Sequence, residues 1–221
     1  LGFDLGSGQL SLASMHEEDW ANGWKKYFKP VKVGQRIVVK PTWEEYCPRE
    51  GEIVLELDPG MAFGTGTHQT TMLCIRELER LVFPSCSVLD VGCGTGILAI
   101  ASLLLGANHA VAVDIDSNAV RIARQNALQN GVSSRMDVLQ GNLVDGVQGK
   151  YDVVVANIIA DAIIALAGPV KGFLKDGGVF VASGIILDRL DDVLKALERE
   201  GYGQLEHRTM DDWAVVVARH A

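Results

Sequence analysis

The run Leu89-Asp90-Val91-Gly92-Cys93-Gly94-Thr95-Gly96 constrains this chain more than any other part of it. An apolar segment ends in an acid, three alternating glycines follow, and a helix-like stretch runs from Ile97 to Leu105. Glycine at such positions lets backbone N–H groups approach a ligand closely, because no Cβ intervenes. The next helix aims its N-terminus at the same spot. Doubly wound α/β domains grip nucleotide-like cofactors with a strand–turn–helix unit of this kind. A tight turn without a ligand is a poor explanation of three alternating glycines with acids at two strand ends.

Two cofactors compete for the turn: a dinucleotide and S-adenosylmethionine. Gly94-Thr95-Gly96-Ile97-Leu98-Ala99 fits G-x-G-x-x-G/A, and Asp114 lies twenty residues past Gly94, as a dinucleotide site requires. Against this, Asp90 precedes a D-x-G-x-G-x-G spacing typical of methyltransferases. The segment Ala156-Asn157-Ile158-Ile159-Ala160 also stands where amine methyltransferases present the acceptor nitrogen.

The pattern along the chain narrows the fold. Strands are predicted at 87–91, 110–114, 136–139, 151–156, 178–183, 203–208 and 213–218, and helices at 69–81, 97–105, 118–130, 159–170 and 187–200. Tyr151-Asp152-Val153-Val154-Val155-Ala156 is a near-continuous apolar run, as a central parallel strand buried on both faces should be. Alternating strands and helices imply a parallel sheet with helices on both sides. Only Met210-Asp211-Asp212 separates the last two strands, too short a link for a crossover, so they must pair antiparallel. The expected fold is a Rossmann-like, class I methyltransferase sheet of seven mostly parallel strands closed by a C-terminal antiparallel hairpin. Residues 1–57 read as an N-terminal extension and 58–221 as the methyltransferase domain. In the extension Trp20, Trp24 and Phe28 would share one helix face, Pro30 would end that helix, and 36–40 and 53–57 read as strands.

Candidate residues follow from position. Asp114 closes the second predicted strand beside the glycine turn, where a carboxylate accepts both ribose hydroxyls. Asp116 reads as the cap of the following helix. Asn142, after the third strand, would lie over the adenine or serve as a turn residue. Asn157, at the end of the fourth strand, would face the crevice and accept from an amine or from the cofactor, or cap the next helix. The loop Asp58-Pro59-Gly60-Met61-Ala62-Phe63-Gly64-Thr65-Gly66-Thr67-His68-Gln69-Thr70-Thr71 lacks the Gly-Lys-Ser/Thr ending of a phosphate loop. Its hydroxyls and the helix start behind it form a polar clamp for a small ligand, with His68 at the rim.

Composition excludes several classes. No apolar run reaches the roughly 18 residues of a membrane span, and the first residues carry no signal-peptide pattern. The four cysteines form no C-x-x-C pair, so no zinc site is expected and reduced cytoplasmic thiols are. A net charge of −8 opposes general nucleic-acid binding and suits a basic protein substrate. Asn157 is not followed by the Pro-Pro-Tyr/Phe of enzymes that methylate adenine or glutamine side chains.

The segments 58–71, 89–98 (Leu-Asp-Val-Gly-Cys-Gly-Thr-Gly-Ile-Leu) and 154–160 (Val-Val-Ala-Asn-Ile-Ile-Ala) closely resemble the bacterial ribosomal protein L-eleven methyltransferase family. Glu18-Asp19-Trp20, Trp24-Lys25 and Pro41-Thr42-Trp43 are also similar to it, so the likeness runs from about Asp19 to the C-terminus. It implies transfer of methyl groups from S-adenosylmethionine, leaving S-adenosylhomocysteine, to lysine ε-amines and the N-terminal α-amine of that ribosomal protein. It implies a cofactor set of Phe63, Thr65, Thr71, Asp90, Gly92, Gly94, Asp114, Asn142 and Asn157. Asn157 and His68 would orient the amine, with Phe63 and His68 at the methyl end. Family members carry a separate N-terminal substrate-binding domain, and the stretch before Trp20 is too short for one, as in a catalytic fragment or a divergent member. The enzyme is expected to be a cytoplasmic monomer acting on a protein, without membrane, metal or direct nucleic-acid contact. A methyltransferase of another amine acceptor and a nicotinamide oxidoreductase are the alternatives.

Overall fold

The computed structural model describes residues 28–58 and 66–220. The proposed Trp20 and Trp24 face and two expected site residues, Phe63 and Thr65, lie outside them.

The larger sheet holds β4 (Ser87–Val91), β5 (His109–Asp114), β6 (Met136–Gln140), β7 (Tyr151–Asn157), β8 (Leu174–Ile186), β9 (Gln204–Met210) and β10 (Trp213–Arg219). Their order is β6-β5-β4-β7-β8-β10-β9. The first five pair in parallel, while β10 runs antiparallel to both β8 and β9. The seven strands and the closing hairpin match the sequence expectation. Asp211 and Asp212 alone turn that hairpin, with Met210 opposite Trp213 and Asp211 at φ +50°.

Side chains of the central strands divide by strand period between two cores. Val153 and Val155 of β7 enter one core with α1 (Gln69–Leu81), α2 (Ile97–Leu104) and α3 (Ser117–Gln129). Val154 and Ala156 enter the other with α4 (Ala160–Leu166) and α5 (Leu190–Arg199). Helices therefore cover both faces, and the near-continuous apolar run of β7 follows from burial on two sides.

Three predicted boundaries are corrected. The helix expected over 159–170 ends at Leu166, and a 3-10 turn, Pro169–Phe173, takes its place, because proline lacks the N–H and clashes with the preceding turn. The strand expected at 178–183 spans Leu174–Ile186. The pair Gly177-Gly178, at whose second residue the expected strand began, sits inside a bulged strand, with Gly177 at φ +70°. The last helix starts at Leu190, after a 3-10 turn at Leu187–Arg189.

A three-stranded sheet precedes the main one: β1 (Val31–Lys32), antiparallel to β2 (Ile37–Lys40), which pairs in parallel with β3 (Ile53–Glu56). Its Ile37, Val39 and Leu55 share the core of α1 and α2. Two side chains fasten it. The Glu79 carboxylate of α1 accepts the N–H groups of Gln35, Arg36 and Ile37 at 2.7, 2.7 and 3.0 Å. Asn130 accepts from Glu56 N at 2.9 Å and donates to Glu56 O at 2.8 Å, standing in for a strand neighbour. No helix of the described residues is long and apolar enough to cross a membrane.

Candidate active site

The glycine turn is strained in the way its sequence demands. Gly92, Gly94 and Gly96 lie at φ +71°, +53° and +77°, in the left-handed region that disfavours side chains. Gly92 N and Cys93 N both donate to Val113 O, at 2.8 and 3.0 Å, so the turn is tied to the end of β5. Gly96 caps α2 without a side chain. Asp90 supplies an acceptor instead: its Oδ2 takes the first-turn N–H of Ala99 at 3.0 Å, near the positive end of the helix.

Asp90 is fully buried, and its Oδ1 has no hydrogen-bond partner among the described residues. Burial, reinforced by the nearby Asp114 carboxylate and opposed by the Ala99 N–H, pushes its carboxyl up to about 7. The sign follows by linkage. The folded chain keeps a proton on Asp90 that the unfolded chain releases near pH 4, so stability falls as pH rises from about 4 to about 7. Asp90→Asn should remove this component of the melting-temperature slope measured between about pH 5 and 7. Identical slopes in both proteins would refute the assignment.

Asp114 is held by the backbone on both oxygens. Oδ2 accepts from Gly94 N at 2.8 Å and Oδ1 from Asp116 N at 3.0 Å. Asp116 caps α3 through Asn118 N, as expected. Each Asp114 oxygen keeps accepting capacity for a ligand hydroxyl.

A cavity of about 290 Å³ opens at the C-terminal ends of β4, β5 and β7, where the strand order reverses. Thr71, Gly92, Gly94, Asp114, Asn142 and Asn157 of the expected set line it, while Asp90 lies buried beneath the turn. Ile115, Leu143, Ile158 and Ala162, not anticipated, also line it. Leu143 sits at φ +52°, a rare strain for a leucine at a site wall. Among the described residues no lysine or arginine lines the cavity, and the carboxylate that does is Asp114. That set suits a ligand carrying an ammonium, a ribose diol and a sulfonium. S-adenosylmethionine fits this lining, with the accepting capacity left on both Asp114 oxygens open to its ribose diol.

A second cavity of about 510 Å³ adjoins the first. His68, Thr70, Asn157, Ile158, Ile159, Gly184 and Trp213 line it, so Asn157 and Ile158 belong to both cavities. Asn157 is not a helix cap: Ile159 holds that position in α4, with no side-chain bond. Asn157 Nδ2 instead donates to Thr71 Oγ1 at 3.3 Å, which leaves its carbonyl oxygen to accept from a ligand. His68 caps α1. Its Nδ1 accepts from Thr70 N at 3.3 Å, which places the proton of the neutral ring on Nε2. The ring meets Trp213 edge-on, with centroids 5.0 Å apart.

Ile158 is gripped from both sides. A Cβ on Gly92 would stand 2.5 Å from Ile158 Cγ2, and one on Gly184, at φ +83°, would collide with the Ile158 carbonyl. A glycine inside an apolar strand is a signal of close backbone approach, but the expected strand ended at 183, so Gly184 fell just outside it. Trp213 carried no such signal: it reaches the site only through the pairing of β10 with β8.

A family model described as ribosomal protein L11 methyltransferase (PrmA) matches residues 2–221. A protein of that name from Alkaliphilus oremlandii is 48% identical over 218 residues, covering 99% of this chain and 70% of its own length. One from Pelotomaculum thermopropionicum is 52% identical over 210 residues, covering 95% and 68%. The crystal structure of ribosomal protein L11 methylase from Lactobacillus delbrueckii superposes with a TM-score of 0.82 at 32% identity, over 88% of this chain and all of that one. A 16S rRNA N2 G1207 methyltransferase from T. thermophilus, in complex with AdoMet and guanosine, shares the fold at 21% identity, with a TM-score of 0.61 over 72% of this chain and 45% of that one.

Proposed function

The chain belongs to the ribosomal protein L11 methyltransferase family, and on that footing we propose that it methylates lysine ε-amines and the N-terminal α-amine of ribosomal protein L11, using S-adenosylmethionine. The observation that carries this reading is the meeting of two cavities at Asn157 and Ile158. One has the Asp114 carboxylate and the glycine turn of a cofactor site, and the other is mainly apolar.

When bound, the cofactor supplies an electrophilic sulfonium methyl. Gly92, Gly94 and Asp114 hold it by backbone approach and by the ribose, and Thr71 and Asn142 border it. Residues of the second cavity act on the amine. A lysine is charged at neutral pH, with a free value of roughly 10.4. The apolar walls from Ile158, Ile159 and Trp213 disfavour the ammonium, so the chain needs no strong general base. The Asn157 carbonyl oxygen accepts an N–H of the neutral amine and aims its lone pair at the first cavity. Alignment of this kind supplies much of the acceleration in a two-substrate transfer. His68, fixed by Thr70 and Trp213, borders the same space. The enzyme works as a monomer in the cytoplasm, on protein and not on nucleic acid.

Calorimetric titration with S-adenosylmethionine and with NAD tests the cofactor, and methyl transfer to purified L11 followed by mass mapping tests the acceptor. Binding of S-adenosylmethionine alone, with methyls on lysines and the N-terminus, is the expected result. Binding of NAD, or methyls on L11 side chains other than amines, would overturn the reading.

A further inference from the structure

The second cavity opens onto an apolar rim. Ile159, Ile186 and Leu187 are 70%, 42% and 41% exposed, which is unusual for large apolar side chains so close together. Named contacts join them into one surface. Ile186 stands opposite Trp213 in the β8–β10 pairing. Leu187 N donates to Asp212 O at 3.0 Å. Arg189 bonds Asp161 at 2.7 Å, which draws the 3-10 turn to the start of α4, two residues beyond Ile159. Gln69, next to His68, donates to Asp211 at 3.0 Å and closes the circuit.

The same rim is acidic. Asp161, Asp188, Asp191, Asp192, Asp211 and Asp212 fall on these segments, against the single cation Arg189. Arg189 is itself engaged by Asp161 and Asp192. The acids on the 3-10 turn and the hairpin, Asp188 and Asp212, are exposed. Apolar side chains within an acid border complement a polypeptide that carries both cations and apolar groups, and they repel nucleic acid.

We propose that this rim docks the stretch of polypeptide flanking the target amine, and that it favours flanks that are cationic and apolar. The inference rests on the amine-methyltransferase reading above and adds a sequence preference seated in the catalytic part of the chain. An extended segment lying across Leu187 and Ile186 would deliver its amine past Ile159 and Trp213 into the cavity. Ionic attraction to the exposed aspartates would fade with added salt.

The test compares short lysine peptides whose flanks are arginine and leucine with others whose flanks are glutamate and serine, beside whole L11. The cationic, apolar peptides should show a kcat/KM about tenfold higher at low salt, and the margin should shrink as salt rises. In the double variant Asp188→Asn/Asp212→Asn the salt dependence should flatten and KM for the cationic peptide should rise about fivefold. Leu187→Ser should raise KM for the arginine–leucine peptide and leave that of the glutamate–serine peptide nearly unchanged, and S-adenosylmethionine affinity should stay within twofold in all variants. Equal KM values across peptides and variants, with L11 still methylated, would overturn the docking inference alone. No transfer to L11 by the unaltered protein would overturn the underlying reading and this one with it. A dimer in sedimentation that Leu187→Ser dissociates, with KM unchanged, would assign the apolar rim to a second copy and overturn the proposal.

Discussion

Asp114→Ala is expected to weaken S-adenosylmethionine binding by about 100-fold or more, while the chain stays folded. A hydrogen bond to an ionised carboxylate contributes about 1.5–3 kcal/mol, and two ribose hydroxyls would be lost together. The variant also frees the N–H groups of Gly94 and Asp116, which Asp114 now accepts at 2.8 and 3.0 Å. Neither group is deeply buried, so water takes over part of both bonds, and a stability loss of about 1–2 kcal/mol follows. Asp114→Asn, which keeps one acceptor oxygen, should recover part of the stability and little of the affinity. Calorimetry and thermal melting on the same samples separate the effects. Affinity within threefold of the unaltered protein would remove Asp114 from the ribose.

Asn157→Ala carries the second large effect. Turnover on L11 is expected to fall about 100-fold or more, because a misdirected acceptor amine loses the alignment on which transfer depends. Stability should hardly change: among the described residues the one side-chain hydrogen bond lost is the 3.3 Å contact with Thr71, and the residue caps no helix. Cofactor affinity should fall only severalfold, since Asn157 is one of many residues around the first cavity. The diagnostic pattern is a large loss in kcat with small losses in melting temperature and in S-adenosylmethionine affinity. Matching losses of turnover and stability would make Asn157 a structural residue.

The cofactor half of the site was legible in the sequence because its chemistry is local. Gly92, Gly94 and Gly96 adopt the positive φ that their spacing implies, and Asp114 stands beside them at the end of its strand. The seven mostly parallel strands and the closing hairpin followed from alternation and from one short link, while the order of the strands in the sheet came from the structure. The second cavity is assembled from distant segments. Trp213 joins His68 across 145 positions of sequence, and nothing near either residue encodes the meeting. Local misreadings have local causes. Pro169 should have ended the helix predicted through 170. The Gly177-Gly178 pair serves equally in a turn or a bulge, and only pairing with β7 selects the bulge. Ile115 shows the opposite case: 67% exposed after the acid of β5, it is an apolar residue that burial does not explain and the cofactor cavity does.

The grip of Gly92 and Gly184 on Ile158 sets how this site can evolve. Gly92 of the turn faces the branched side chain of Ile158 and Gly184 of β8 faces its backbone, and both cavities share Ile158 as a wall. A methyl added at 92 meets a side-chain tip that a smaller residue at 158 would withdraw, yet the φ of +71° would strain it all the same. A methyl added at 184 meets backbone, which no exchange at 158 relieves. Across related sequences, positions 92 and 184 should therefore both stay glycine, which leaves 158 as the position of the three that can change in volume. Any such change reshapes both cavities at once, because both use Ile158 as a wall.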